Sequence, residues 1–283
     1  MQNSVRRSIL CPTCRKLISI DEPLCPYCGL SRPGSWWKTG FLNLFSLNTY
    51  NIIRSLIIIN AVLFVISVLL SSSALSTSAN PLRFLAPSNN IVLLMGATGT
   101  IPIERLHRWW TLVSAGYLHG GILHLFFNMV ALSQIGPLVL QEFGFYRTVA
   151  LYVLGGIIGF LVSYLAGIPF TLGASASLCA LIGALLYYGK SRGGIFGQSL
   201  FRQLSGWVIG MGFFGLLVPG INNWGHGGGL AGGIMLGYLL GYTEKNRETY
   251  VHKLLAIICM LTTGAILLWA LLSTFYYLFF VAQ

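Results

Sequence analysis

Three polar clusters interrupt an otherwise apolar sequence, and their residue types suit acyl transfer. His119, His124 and Asn128 open one apolar run, Gly173, Ser175 and Ser177 open another, and Gly225, His226, Gly228 and Gly229 a third; Trp109 and Trp110 shortly precede the first. His124 and Asn128 are four apart, so on a helix they share one face, a turn apart. A serine beside a histidine is the pairing of nucleophilic catalysis, in which the imidazole takes the hydroxyl proton and later returns it to the leaving amine. Asp21 is the sole aspartate and lies far from these clusters, and no glutamate is expected inside an apolar run. A Ser175–His226 dyad is therefore expected rather than a triad. The tetrahedral intermediate also needs donors for its oxyanion: Asn128 offers an amide N–H, His124 an imidazole N–H, and the helix start beyond Gly173 its backbone N–H groups.

The elements that must position these residues are membrane helices. Only 8% of the 283 residues are charged while 55% are hydrophobic, with 34 glycines. So few charges cannot cover a soluble fold of this size, and disorder requires the opposite composition. Apolar runs of spanning length predict seven helices, at 52–70, 123–140, 149–166, 173–189, 204–218, 227–242 and 254–278. The net charge of +11 resolves into a topology signal. Fourteen of the 17 Lys and Arg residues fall on the side of the N-terminus, and only Arg83, Arg105 and Arg108 on the other. The positive-inside rule puts the N-terminus in the cytoplasm and, after seven spans, the C-terminus outside. Anionic lipid is a second partner of the basic face, and nucleic acid is not expected as one. About fifty mostly polar residues before the first span argue against a cleavable leader. The compactness of the chain suggests a bacterial inner membrane.

A separate small module precedes the spans. Cys11 and Cys14, then Cys25 and Cys28, form two C-x2-C pairs ten residues apart. Each pair closes a knuckle that aims two thiolates at one point, and two knuckles complete a tetrahedral zinc shell. A reducing cytoplasm disfavours two disulfides instead. Four protein ligands leave no open position, so the expected zinc is structural and catalysis needs no cofactor. The division expected is a zinc ribbon at 1–34, an interfacial linker with Trp36, Trp37 and Lys38 at 35–50, a six-helix core at 51–243, and a loop with a seventh helix at 244–283. The ribbon reads as a folded cap or as the docking point of a cytoplasmic partner.

Topology brings the polar clusters together. The even-numbered spans all run from outside to inside, so their polar starts lie at one depth, just inside the outer surface. Gly229, Gly233 and Gly237 form a small-residue stripe on the sixth span, and Ala176, Ala180 and Ala184 one on the fourth. Such stripes let backbones approach closely. If they face each other, Ser175 reaches His226.

These residues resemble the rhomboid intramembrane serine proteases. The matching motifs are H-x-x-x-N at 124–128, G-x-S at 173–175, and H-x-G-G at 226–229 continued by G-x-x-x-G, in the family order. The resemblance covers roughly 51–243, and the seventh helix looks like the extra C-terminal span some members add. It implies an all-α polytopic membrane fold, a rhomboid-like six-helix bundle plus one helix. It also implies a serine endopeptidase that cleaves membrane-spanning proteins near the outer face, with Ser175 as nucleophile, His226 as base, and His124 and Asn128 as oxyanion donors. The fifth helix and its outer loop would be the substrate gate and cap. Three positions depart from the pattern: Ala176 stands for the glycine after the nucleophile, Cys179 for an aromatic that stacks on the histidine, and Thr111 for an arginine after Trp110.

Rival readings attach to several residues. Ser177 could compete as nucleophile, His119 reads as interfacial, Cys179 and Cys259 as small core residues, and Asn60 as an interhelical hydrogen bond. The Phe275–Phe280 aromatic stripe reads as lipid-facing. A rhomboid-like binder that grips membrane helices without cutting them is the main alternative function; it typically lacks the serine or the histidine, and this chain has both. A transporter would need ionisable residues at mid-depth and repeated halves, which the sequence does not offer.

Overall fold

The computed structural model describes residues 8–11, 16–27, 29–34, 51–71, 84–218 and 220–281. The chain divides into two compact units, Met1–Ser55 and Leu56–Gln283. In the first, strand β1 (Ser8–Leu10) pairs antiparallel with β2 (Leu17–Ser19), Ile9 opposite Ile18. Cys11 and Cys25 are buried with Ile18 in a small core. The Cys11 N–H donates to the Lys16 carbonyl (3.0 Å), closing one turn, and the Cys25 carbonyl accepts from the Gly29 N–H (2.9 Å), closing another. Cys14, Cys28 and the linker at 35–50 lie outside the described residues.

The second unit is a polytopic helical bundle. Its long helices are α1 (Asn51–Leu70), which begins at the edge of the first unit, then α4 (Ile122–Phe143), α5 (Phe145–Leu165), α6 (Ser175–Arg192), α7 (Gly194–Leu217), α8 (Asn223–Leu240) and α9 (Tyr250–Tyr276). Between α1 and α4 the long loop holds short α2 (Asn89–Leu94) and α3 (Thr111–Ser114), a π turn at Ile101–Arg105 and a 3-10 turn at Ala115–Tyr117. Glycines at positive φ, Gly144 (+85°) between α4 and α5 and the pair Gly193 and Gly194 (both +65°) between α6 and α7, reverse the chain. Such hairpins demand a backbone that only glycine adopts cheaply.

All seven expected spans are helices, with shifted edges. The fifth begins at Gly194 rather than at 204, so Arg202 sits inside α7 and not in a loop. The sixth begins at Asn223, which puts His226 within its first turn. The second runs on to Phe143, so Glu142 does lie inside a span, at the end remote from His124. Five of the helices are long and apolar enough to cross a membrane. Helix α6 falls short of that measure because its last turn carries Lys190 and Arg192, and α8 because of Asn223, His226 and its many glycines. Protein encloses α6 almost entirely, so it needs little lipid-facing surface.

Small residues set the centre of the bundle. A Cβ on Gly229 would strike the Ala176 carbonyl, one on Gly233 the Ala180 carbonyl, and one on Gly237 would come within 3.2 Å of the Ala184 Cα. The two expected stripes therefore face each other, and since both numberings rise together, α6 and α8 run parallel. Helix α5 packs antiparallel to α6, with Gly155 against Ala180 and Gly159 against Ala176. In the loop between α1 and α4, Thr111 is buried and its hydroxyl donates to the Arg108 carbonyl (2.6 Å) and lies 3.0 Å from the Thr98 hydroxyl. This threonine ties the loop inward where the family pattern has an arginine, and Trp109 packs edge-on against Tyr164 of α5.

Candidate active site

Ser175 is the first residue of α6 and His226 lies in the first turn of α8, so the close parallel packing of these helices delivers both side chains to one place. The His226 Nε2 lies 2.9 Å from the Ser175 Oγ. The His226 Nδ1 is buried and has no partner among the described residues. With Nε2 accepting the serine proton, Nδ1 carries the ring hydrogen, and no carboxylate among the described residues completes a triad.

His124 stands on the other side of the serine. Its Nδ1 accepts from the Gly120 N–H at 3.4 Å, so in the neutral ring the hydrogen resides on Nε2. A Cβ on Gly173 would lie 2.7 Å from both Nε2 and Cε1 of His124 and 3.8 Å from the Ser175 Oγ. The space left by this glycine is therefore bordered by the serine oxygen and an imidazole N–H donor, which is what a developing oxyanion needs. The Gly173 N–H is itself held by the Ala115 carbonyl (2.9 Å). Asn128, one turn along α4, gives one of its two amide N–H groups to the His124 carbonyl (3.0 Å). Only its second N–H is left to serve the site.

The structure separates the other expected residues. Ser177 turns away from His226 toward Gly156 of α5, and lines a small cleft with Gly116, Tyr117 and Phe160. It is no rival nucleophile. Cys179 is buried with its sulfur 3.8 Å from the Met211 sulfur of α7, as a core residue. The methyl of Ala176 sits where Gly159 makes room for it. His119 is not interfacial: it is 1% exposed and its ring meets that of His124 edge-on at 5.1 Å. Burial, and then the nearby His124, push its pKa well below the usual histidine range. Its position in a loop turn beside two glycines gives no sign of this burial.

Residues 106–243 match the Rhomboid domain family. The chain thus carries a Rhomboid domain over just under half of its length. Similar proteins include RHOMBOID-like protein 5 of Arabidopsis thaliana, 45% identical over 36% of this chain and 34% of that protein. The rhomboid protease GluP of Bacillus subtilis (strain 168) is 36% identical over 44% of this chain and 24% of its own. The inactive RHOMBOID-like protein 8 of Arabidopsis thaliana is 34% identical over 39% and 31%. The matched regions span about a quarter to a third of these relatives' lengths. In this chain the domain begins after the π turn of the long loop and ends just beyond α8, so it contains every residue of the Ser175, His124 and His226 cluster, while α9 lies beyond it.

Neighbouring α7 is loosely packed along its middle. Hypothetical Cβ atoms on Gly206, Gly210 and Gly212 would meet nothing within 4 Å. Near its C-terminal end, the Asn223 amide donates to the Gly215 carbonyl (2.9 Å) and ties it to α8. The sequence, read as helix periods, does not distinguish this weak packing from that of α6.

Proposed function

We propose that this rhomboid is an intramembrane serine endopeptidase that cleaves membrane-spanning proteins near the outer face. The observation that carries the proposal is the 2.9 Å contact between Ser175 Oγ and His226 Nε2 beside the Gly173 recess. In the reaction, His226 Nε2 takes the Ser175 proton as the serine oxygen bonds to the scissile carbonyl carbon. The carbonyl oxygen becomes the oxyanion and is met by the His124 Nε2–H, the second N–H of Asn128 and the backbone at the start of α6. Proton return from His226 expels the amine and leaves an acyl-serine; a water, deprotonated by the same imidazole, releases the acid. Substrate helices would carry small residues and unwind readily at the cleavage point, because a helical peptide bond is shielded by its own backbone. Loosely packed α7, with the turn that follows it, suits lateral entry of such a helix.

The basic face is assigned to the cytoplasm and the dyad to the opposite side. Cys11, Cys14, Cys25 and Cys28 are assigned to one structural zinc. Burial of Cys11 and Cys25 and the two backbone turns that they close fit a thiolate shell, in which the metal would cross-link the two knuckles. This ribbon would also offer a surface to a cytoplasmic partner.

The competing reading, a client-binding rhomboid without activity, draws on the inactive relative. A fluorophosphonate probe in native membranes separates the two. Labelling of wild type and of Ser177→Ala, lost in Ser175→Ala, is expected; an unlabelled wild type beside a labelled reference rhomboid would move the assignment to the binder.

A further inference from the structure

Asn222 ends the loop before α8, and its side chain makes three hydrogen bonds. Its Oδ1 accepts from the Gly225 N–H at 2.9 Å, which caps the helix. Its amide nitrogen donates to the Ser163 hydroxyl of α5 (2.7 Å) and to the Thr171 hydroxyl (2.9 Å). The last two bonds are not needed for a cap, which uses only the side-chain oxygen.

Their placement relative to the dyad is regular. Thr171 lies four residues before Ser175 and Asn222 four residues before His226, so the two contacts join segments at the same sequence separation, 51 positions. Thr171 is itself fixed, exchanging two backbone hydrogen bonds with Thr98 (2.7 and 3.0 Å). Two residues later, Gly173 is held by Ala115. Ser163 is fully buried, and its carbonyl accepts from the Ile168 N–H (3.1 Å) at the start of the same loop. The Thr171–Asn222 contact is thus a rung beside the Ser175–His226 rung, between two segments whose backbones are both restrained. A Cβ on Gly225 would fall 2.8 Å from the Asn222 amide nitrogen, so even the glycine before His226 leaves room for this side chain.

We propose that Asn222 is a positioning residue: by linking Thr171 and Ser163 to the start of α8, it sets the distance between the nucleophile and its base. The proposal rests on the protease reading of that pair, and its geometric content does not require activity. Catalysis is sensitive to such placement, since an error of about 1 Å can cost on the order of 10²-fold in rate.

The test separates the cap from the rung. Asn222→Ser keeps a capping oxygen but is too short to reach both hydroxyls, and Thr171→Val removes the other end of the rung without changing shape. Each is expected to lower kcat about 10- to 100-fold with KM within about twofold. The double variant should be no slower than the slower single one, because both remove one interaction. In the same proteins, the 15N shift of the His226 Nε2, which the serine hydrogen bond displaces, should move toward its value in Ser175→Ala. Wild-type kcat in Asn222→Ser would reduce the residue to a cap and overturn the proposal. So would multiplicative losses in the double variant, or an unmoved 15N shift. Should Asn222→Ser fold poorly, Thr171→Val carries the same expectations alone. Because the 15N signal is read without turnover, an inactive wild type with a responsive signal would refute the protease reading and leave the positioning role standing.

Discussion

Gly173 lies against the imidazole of His124, at φ +129°, where a Cβ would fall 2.7 Å from its Nε2. That one missing side chain opens the recess beside Ser175. Gly173→Ala combines an unfavourable backbone with a methyl pressed on the donor nitrogen. Cleavage should fall by about 10²-fold or more, as when an oxyanion donor is lost. Comparing the rate of fluorophosphonate labelling with that of Ser175→Ala checks this, and labelling at the wild-type rate would refute the assignment of the recess.

The two proposed oxyanion donors are not equivalent. His124 has its Nδ1 occupied by Gly120 and its Nε2–H facing the recess, whereas Asn128 shares its amide with the His124 carbonyl. His124→Ala should therefore cost about 10²- to 10³-fold in kcat and Asn128→Ala about tenfold less. Steady-state cleavage of a fluorescent membrane substrate measures both, and a larger loss for Asn128→Ala would reverse the ranking.

Packing of α6 on α8 predicts where stability resides. A Cβ on Gly233 would strike the Ala180 carbonyl, and backbone cannot retreat as a flexible side chain can. Gly233→Ala should cost about 1–3 kcal/mol as an overpacked core does, and Gly264→Ala, where a Cβ would meet nothing within 4 Å, should not destabilise. Thermal unfolding in detergent reads both.

A latch on the opposite end of the bundle joins α9 to the core. The buried Arg147 guanidinium donates to the carbonyls of Phe143, Asn246 and Arg247, and the Glu248 carboxylate accepts from the Arg147 backbone N–H (3.0 Å). Arg147→Ala leaves the Phe143, Asn246 and Arg247 carbonyls without this donor and should cost about 1–3 kcal/mol. Glu248→Gln keeps an acceptor for the backbone and should cost less. Limited proteolysis of the 241–249 loop would report the loosening; equal sensitivity of both variants would argue against the latch.

Replacing Cys11 and Cys14 with serine should release one zinc per chain while leaving cleavage by the bundle in place. Metal analysis of purified protein, alongside the cleavage assay, checks both halves. Retained zinc would refute the four-thiolate shell, and lost cleavage would make the ribbon part of the enzyme's working structure.

The membrane class, the number of helices and the candidate nucleophile and base were legible from residue type and order. The reasons are local: spanning segments must be long and apolar, and a serine and a histidine at helix starts on the same side can only be explained together. The facing stripes were legible too, because glycine and alanine at four-residue spacing have few other uses. What the sequence could not show was anything that depends on which neighbour fills a space. His119 and Ser177 looked plausible at the surface and at the site, and tertiary packing buried the first against His124 and turned the second toward Gly156. The extra turns of α7, the inclusion of Glu142 in α4 and the Arg147 latch have the same origin. Helix ends are decided by what caps and covers them, not by hydropathy. Asn222 shows the division most plainly: its capping role is written in its position before α8, but its bonds to Ser163 and Thr171 join residues 59 and 51 positions away. No local pattern encodes such a pairing; it exists only once the helices are packed.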